Sequence, residues 1–241
     1  MRDYQIELER RVEFIRHALK KAHATGIIYG NSGGKDSVLV GILCKRACAD
    51  TVGIIMPCAS KRNYEIDKTD GEIAAGQFGI ETRFVDLTAT RDALVQSVLH
   101  AATLTDSALA NIAPRLRMAA LYAVAASEGR LVVGTGNKSE GYMGYFTKWG
   151  DGAYDLNPIA DLTVTEIYEF LRYLNAPSFI FDKAPSAGLF DGQTDEAEMG
   201  VTYGAIDAFL MGGAVSAHDR AIIDRFHMAS EHKRKPPLTY S

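Results

Sequence analysis

An alternation of short apolar runs with longer stretches of helical period constrains the fold of this chain more than any other feature. The apolar runs lie at residues 26–29, 52–56, 82–87 and 131–134, and the helical stretches at residues 3–24, 65–78, 112–128 and 164–174, with a further helix through Val38, Leu39 and Ile42. Strands that alternate with helices are typical of βαβ units, whose strands pair in parallel. We therefore predict an α/β fold, a doubly wound parallel sheet with helices on both faces. Loops and short helices are predicted for the carboxyl-terminal part.

The length of the chain fits one large domain or two small ones, and because no internal repeat or linker is visible we predict a single globular domain over residues 1–241. Apolar residues make up 47% of the 241 residues, charged residues make up 23%, and the formal net charge is −4. These values exclude a mainly disordered chain and argue against a general nucleic-acid binder. The chain has three cysteines, no signal-peptide pattern and no apolar run of the roughly 20 residues that span a bilayer. We therefore expect no disulfide framework, no membrane contact and a cytoplasmic location.

The sharpest motif lies between the first predicted strand and its helix and reads Gly30-Asn31-Ser32-Gly33-Gly34-Lys35-Asp36-Ser37. Adjacent glycines allow a tight turn and a close approach to a ligand, and the N–H groups at the start of the helix favour phosphate. The motif is not a Walker A loop, because Asp36 follows Lys35, and it lacks the G-x-G-x-x-G of dinucleotide-binding loops. Asp36 would repel phosphate unless a cation lay between them, so we predict that it binds Mg²⁺. The alternative is an ordinary turn in which Asp36 only complements the helix dipole.

A second glycine-rich stretch follows the fourth predicted strand, over residues 134–160. A loop after a parallel strand lies at the ligand-binding edge of the sheet. This one carries an acid, two lysines and a hydroxyl that could contact a nucleotide and a metal ion. The alternative is a structural loop that packs its own aromatic side chains.

Both stretches resemble a known family. The first resembles the SGGxDS loop of the N-type ATP pyrophosphatases, and residues 134–140, 144–152 and 155–158 resemble the GTGNKSE, GYFTKYGDG and D-x-NP segments of ammonia-dependent NAD synthetases. Further similar segments lie at residues 111–118, 183–189, 191–196, 199–203 and 231–234, so the similarity runs in order from about residue 26 to 235. The resemblance implies a Rossmann-like fold of the adenine nucleotide alpha hydrolase type.

The resemblance also implies roles for individual residues. Asp36, Lys35 and Asp151 are expected to be catalytic, with Asp151 orienting or deprotonating the incoming ammonium, and Asp36 and Glu140 are expected to bind Mg²⁺. ATP is expected to contact Gly30, Asn31, Ser32, Gly33, Gly34, Lys35, Asp36, Ser37, Thr135 and Ser186. Nicotinic acid adenine dinucleotide is expected to contact Arg115, Lys148, Asp155, His232 and Lys233. A homodimer is expected, with the dinucleotide site near the interface.

The implied reaction has two steps. The nicotinate carboxylate attacks the α-phosphorus of ATP to give an acyl-adenylate and pyrophosphate, and ammonia then displaces AMP to give NAD. Alternatives are another ATP pyrophosphatase that thiolates tRNA or forms GMP, and a nucleotide-binding regulator without catalysis. The chain departs from the family at Val164, where a lysine that contacts ATP is usual, and at Pro114, where alanine is usual. We expect Lys35 to compensate for Val164 and Pro114 to shift the start of its helix.

Overall fold

The computed structural model describes residues 2–59, 68–182 and 194–240. Its helices and strands are, in chain order, α1 (Tyr4–Ala22), β1 (Gly26–Gly30), α2 (Lys35–Ala47), β2 (Thr51–Ile55), α3 (Lys68–Gln77), β3 (Glu81–Phe84), α4 (Thr88–Leu99), α5 (Asp106–Ala110), α6 (Ile112–Glu128), β4 (Arg130–Val133), α7 (Lys138–Met143), α8 (Val164–Tyr173), α9 (Phe179–Asp182), α10 (Asp195–Met199), α11 (Tyr203–Leu210), α12 (Ala217–Ala229) and α13 (Glu231–Arg234).

The described strands form one parallel sheet in the order β3-β2-β1-β4. Ile28 of β1 lies opposite Val52 of β2 on one side and Val132 of β4 on the other. β2 is buried along its whole length, as expected for a parallel strand that helices cover on both faces. The predicted α/β fold with a parallel sheet is therefore confirmed.

Helices cover both faces of this sheet. On one face, α1, α2 and α8 enclose an apolar core that includes Ile27, Leu39 and Phe170. On the other face, α6 packs on β1 and β4 through Leu121 and Ala125. These two layers hold the carboxyl ends of the strands in fixed positions.

A third apolar cluster forms beside the sheet from α7, α11 and α12. Met143, Ile206 and Ile223 are fully buried in it, and Val164 packs there as well. This cluster fixes the carboxyl-terminal helices against the segment that follows β4. It brings residues far apart in sequence to one edge of the sheet.

The structure differs from the sequence prediction in five places. β3 ends at Phe84 rather than at residue 87, and α12 is longer than the short helices predicted for its region. α4, α5 and α7 were not predicted, because α4 and α5 bury none of their residues and α7 has only six. The helix predicted over 112–128 is present with the same ends. The helix predicted over 65–78 is present from Lys68, and residues 65–67 lie outside the described part.

Among the residues that the structure describes, no helix combines the length and apolarity needed to cross a membrane.

Candidate active site

A cleft of about 810 Å³ opens at the carboxyl ends of β1, β2 and β4. Its walls come from the segments that follow these three strands, from the start of α6 and from the end of α12. Because β1 pairs with β2 on one side and β4 on the other, the chain leaves the sheet here in two directions. Such a crossover point is where ligands bind in open α/β sheets.

The loop between β1 and α2 forms one end of the cleft. Gly33 has a φ of 68°, a left-handed conformation that glycine adopts without strain. Gly34 is the N-cap of α2, and no described side chain caps this helix, so its first N–H groups remain available to an anion. Ser32 donates a hydrogen bond to Ser37 Oγ at 3.1 Å, and Ser37 donates one to the Gly34 carbonyl at 3.0 Å. The loop is thus shaped to bind phosphate.

Asn31 holds the base of this loop. Its side chain is buried, its Nδ2 donates to the Gly71 carbonyl at 3.0 Å, and its Oδ1 accepts from Gly33 N–H at 3.3 Å. Asn31 therefore contributes to the shape of the loop through its side chain.

A lysine lies between two carboxylates at the start of α2. Lys35 Nζ is 2.7 Å from Asp36 Oδ2 and 3.9 Å from Glu140 Oε1, and the lysine side chain is only 7% exposed. Its ammonium also lies 5.6 Å from the centroid of the Tyr203 ring. Burial alone would lower the pKa of Lys35, but the charges of Asp36 and Glu140 raise it above its usual range. The lysine is therefore charged across the physiological pH range.

Glu140 is held in place by the first turn of α7. Asn137 and Glu140 form a reciprocal capping box, in which Glu140 Oε2 accepts from Asn137 N–H at 3.1 Å and Asn137 Oδ1 accepts from Glu140 N–H at 2.9 Å. Asn137 Nδ2 also donates to Asp36 Oδ1 at 3.1 Å, which joins the two predicted metal ligands. Burial and the nearby charge of Asp36 raise the pKa of Glu140 to about 8, although Lys35 opposes the rise.

A buried carboxylate fixes α7 from behind. Asp207 of α11 accepts hydrogen bonds from Ser139 Oγ at 2.5 Å and from both the N–H and the hydroxyl of Thr165 at 2.7 Å. Ser139 is fully buried and immediately precedes Glu140. Asp207 thus ties together α7, α8 and α11 beneath the acidic pair.

The other end of the cleft contains Asp151 and Lys233. Asp151 opens to the cleft, and its Oδ1 accepts from Thr147 N–H at 2.9 Å. Burial raises the pKa of Asp151, with this hydrogen bond opposing the shift. Lys233 donates to the carbonyls of Gly144 and Phe146, both at 2.8 Å. Burial lowers the pKa of Lys233, and Asp151 offsets this only in part.

Four residues predicted to bind the dinucleotide do not line the cleft of the single chain. Arg115 Nε donates to the Lys148 carbonyl at 3.3 Å, and Lys148 Nζ donates to the His232 carbonyl at 2.7 Å. These three residues form a basic group beside the cleft mouth. Asp155 accepts from Val132 N–H at 2.7 Å and from the Tyr122 hydroxyl at 3.2 Å, so its carboxylate supports the edge of β4.

The remaining predicted residues come together in the cleft, with two exceptions. The cleft is lined by Gly30, Asn31, Ser32, Gly34, Lys35, Asp36, Ser37, Thr135, Glu140, Asp151 and Lys233. Gly33 belongs to the same loop but is not part of the lining. Ser186 lies outside the described residues, as do residues 183–193 of the motifs around it. The binding roles of all these residues stay predictions.

Sequence reasoning did not assign several residues that line or support the cleft. Arg117 lines it and donates to the Met56 carbonyl at 2.9 Å, and Asn111 lines it and accepts from the Thr147 hydroxyl. Asn137 supports it through Asp36. The spacing Asn-x-x-Glu at 137–140 is a helix-start signal that could have identified this capping box.

The two departures from the family pattern have structural explanations. Val164 is buried in the third apolar cluster. Pro114 lies in the first turn of α6, where a missing N–H costs no helical hydrogen bond, and that helix begins at the predicted Ile112. The expectation that Pro114 shifts the start of its helix relative to the family stays a prediction.

Comparison with known proteins agrees with this geometry. The sequence model of the family described as NAD synthase matches residues 7–237. An NH(3)-dependent NAD(+) synthetase of Carboxydothermus hydrogenoformans is 45% identical over 238 residues, which cover 98% of this chain and 97% of the relative.

Solved structures show the same similarity. NMN synthetase from Francisella tularensis superposes with a TM-score of 0.94 at 38% identity, covering 100% of this chain and 99% of that chain. NH3-dependent NAD synthetase from Campylobacter jejuni, in complex with the nitrate ion, superposes with a TM-score of 0.81 at 30% identity and covers both chains completely. The chain therefore belongs to the NAD synthase family, ligases whose characteristic reaction forms a carbon–nitrogen bond by amidating nicotinic acid adenine dinucleotide with ATP and ammonia.

Proposed function

We propose that this chain amidates nicotinic acid adenine dinucleotide with ammonia through an acyl-adenylate, releasing AMP and pyrophosphate. The observation that carries the proposal is the acidic pair Asp36 and Glu140 around Lys35, at the start of a helix that no described side chain caps, at the end of one cleft. Such a site suits a nucleotide whose pyrophosphate becomes the leaving group.

The donor set in this cleft fits Mg²⁺. Asp36 and Glu140 offer hard oxygen ligands. Burial and then the charge of Asp36 raise the pKa of Glu140, and a divalent cation would relieve the repulsion between the two carboxylates. Within residues 2–59, 68–182 and 194–240, no group of three or more potential ligand side chains occurs. Mg²⁺ commonly takes one or two carboxylates and completes its shell with water and phosphate, so two suffice. When bound, the ion offsets negative charge on the triphosphate and on the leaving pyrophosphate.

The chain's own residues would hold and polarise ATP in this arrangement. The N–H groups at the start of α2 and the hydroxyls of Ser32 and Ser37 donate to phosphate oxygens, and Thr135 reaches the nucleotide from the segment after β4. Lys35 adds a positive charge at a fixed position, because its ammonium is paired with the carboxylates of Asp36 and Glu140. Stabilising the leaving group in this way favours attack at the α-phosphorus.

Asp151 is the group we propose for the second step. Its carboxylate faces the cleft and is accessible to solvent, so it can contact an incoming ammonium. It would orient ammonium and accept a proton as ammonia attacks the activated carbonyl. Asp151→Asn is then expected to lower kcat mainly in the amidation step, with formation of the adenylate and pyrophosphate less affected.

We propose a homodimer as the working assembly. α4 buries none of its residues within the single chain and exposes Leu94 and Leu99, at 39% and 49%. The basic group of Arg115, Lys148 and His232 lies outside the cleft, as expected if a second copy completes the dinucleotide site. Sedimentation equilibrium is expected to give twice the chain mass. A fully active monomer would refute the proposed dimer and would leave the proposed reaction intact.

The cytoplasmic location stays a prediction.

The decisive assay incubates the purified protein with Mg²⁺-ATP, nicotinic acid adenine dinucleotide and ammonium and measures NAD, AMP and pyrophosphate. Equal amounts of the three products are expected, and Asp36→Ala is expected to abolish them. Glu13→Ala, which removes an exposed acid on α1, serves as the control. Binding of ATP without any product would favour the nucleotide-binding regulator instead.

A second acceptor, nicotinic acid mononucleotide, is favoured by one observation. The structure named NMN synthetase superposes with a TM-score of 0.94, against 0.81 for the Campylobacter NAD synthetase. The same chemistry would then give nicotinamide mononucleotide. Comparing kcat/KM for the two acceptors under one set of conditions decides between them.

A further inference from the structure

The single tryptophan of the chain is held in an exposed and strained position. Trp149 is 53% exposed, although large aromatic side chains are usually mostly buried. Its φ is 63°, a left-handed conformation that is costly for a bulky residue. Strain of this kind persists where the surrounding structure enforces it, and it is concentrated at functional sites.

The turn around Trp149 is fixed by its buried neighbours. Thr147 is buried, and its carbonyl accepts from Gly150 N–H at 2.9 Å and from Gly152 N–H at 3.2 Å. Gly150 packs so closely on α6 that a Cβ there would lie 2.8 Å from Pro114 Cβ. With both sides of the turn anchored in this way, the indole is presented at the surface by a rigid backbone.

A lysine ammonium lies beside the exposed indole, and an arginine bonds the backbone of that lysine. Lys148 Nζ lies 5.5 Å from the centroid of the Trp149 ring and donates to the His232 carbonyl, and Arg115 donates to the Lys148 carbonyl. A flat aromatic surface beside cations suits a nucleotide, because its ring can stack while its phosphates are neutralised.

We propose that Trp149 is a stacking surface for a heteroaromatic ring of the acceptor nucleotide. This proposal rests on the proposed function, since it requires a pyridine nucleotide as acceptor. Two rings have the required chemistry, namely the pyridine that carries the reacting carboxylate and the adenine of a dinucleotide.

Because Trp149 is the only tryptophan, its emission reports directly on this site. The protein is titrated without ammonium with nicotinic acid adenine dinucleotide, with nicotinic acid mononucleotide and with Mg²⁺-ATP, each alone. Saturable quenching by both acceptors identifies the pyridine, and quenching by the dinucleotide alone identifies the adenine. Quenching by Mg²⁺-ATP alone would assign the ring to ATP and overturn the proposal.

Steady-state kinetics supply the second readout. Trp149→Ala is expected to raise the acceptor KM by about tenfold with little change in kcat or in the KM for ATP, and Trp149→Phe is expected to restore it. Phe14→Ala removes an equally exposed aromatic side chain on α1 and is expected to change nothing. An unchanged acceptor KM in Trp149→Ala, with normal turnover of the wild-type enzyme, would overturn the stacking role and leave the proposed function intact.

Acrylamide quenching separates substrate stacking from a contact between subunits. Ready quenching of the free enzyme, with protection by the acceptor, is expected. Poor quenching in concentrated protein that improves on dilution, without any effect of nucleotide, would show that a second copy covers the indole and would overturn the proposal. Absence of any turnover, by contrast, counts against the proposed function itself.

Discussion

Replacing Lys35 by methionine tests whether this lysine compensates the two acids beside it. Methionine keeps the length and apolar stem of the side chain but removes the charge that lies 2.7 Å from Asp36 and 3.9 Å from Glu140. Removing one partner of a buried ion pair costs about 3–5 kcal/mol, because the remaining charge is left uncompensated. The two carboxylates retain 17% and 18% exposure, so we expect a loss at the lower end of that range.

Urea unfolding followed by circular dichroism measures this loss, first without divalent cations and then with Mg²⁺. Since the ion would take over the neutralising role, Mg²⁺ is expected to recover part of the lost stability in Lys35→Met. Lys45→Met on the same helix, where the ammonium donates to the Ala49 carbonyl as its one hydrogen bond among the described residues, is expected to change stability by less than about 0.5 kcal/mol. A loss below about 1 kcal/mol in Lys35→Met, or one that Mg²⁺ leaves unchanged, would refute the electrostatic explanation. If Lys35 also replaces the family lysine missing at Val164, the KM for ATP will rise.

Three other expectations concern stability and use the same unfolding assay. Gly144→Ala is expected to lower the free energy of unfolding by about 3 kcal/mol or more, because φ is 65° and the new Cβ would lie 2.0 Å from Ser230 Cβ. The control Gly141→Ala, whose new Cβ has nothing within 4 Å, is expected to raise it by up to about 1 kcal/mol. Equal effects of the two substitutions would contradict this reasoning. Arg11→Met is expected to cost about 1–2 kcal/mol, because the guanidinium bonds the Asp161 carboxylate at 2.6 and 2.9 Å but that carboxylate is 56% exposed. Burial would raise the pKa of Asp161, but Arg11 lowers it below its usual value. The ion pair therefore adds to the free energy of unfolding above about pH 4, and this stabilisation is lost as the pH falls through the lowered pKa of Asp161. The acid side of the stability profile is therefore expected to be shallower in Arg11→Met, and an unchanged slope would contradict the linkage.

The sheet was predictable because its strands carry unambiguous signals. β1 and β2 are continuous apolar runs, and α6 has the predicted ends because Gly129 takes the left-handed conformation that terminates it. α4 was not predictable by the same reasoning, because apolar periodicity reports on burial and this helix buries nothing within the single chain.

The candidate site was predictable to the level of segments but not of contacts. The family resemblance indicated Asp36 and Glu140 as metal ligands, and the structure brings both to Lys35. The role of Asn137 as a bridge between them depends on how α7 approaches α2, which no local pattern specifies. Likewise, the bonds of Asp155 to Val132 and Tyr122 arise from the path of the loop beyond β4, and these are long-range contacts.

The strand order has a consequence for how this protein is made. β1 can pair with β2 soon after both have been synthesised, but its other edge waits for β4, since Gly26 lies opposite Arg130. Until residues 130–133 have left the ribosome, the nascent chain presents an open, apolar strand edge that includes Ile27 and Ile28. Such an edge is a template for pairing with other chains, and parallel pairing across a long loop is slow. Slower translation or a lower growth temperature will therefore not protect β1 before that point, whereas a chaperone that covers the edge will.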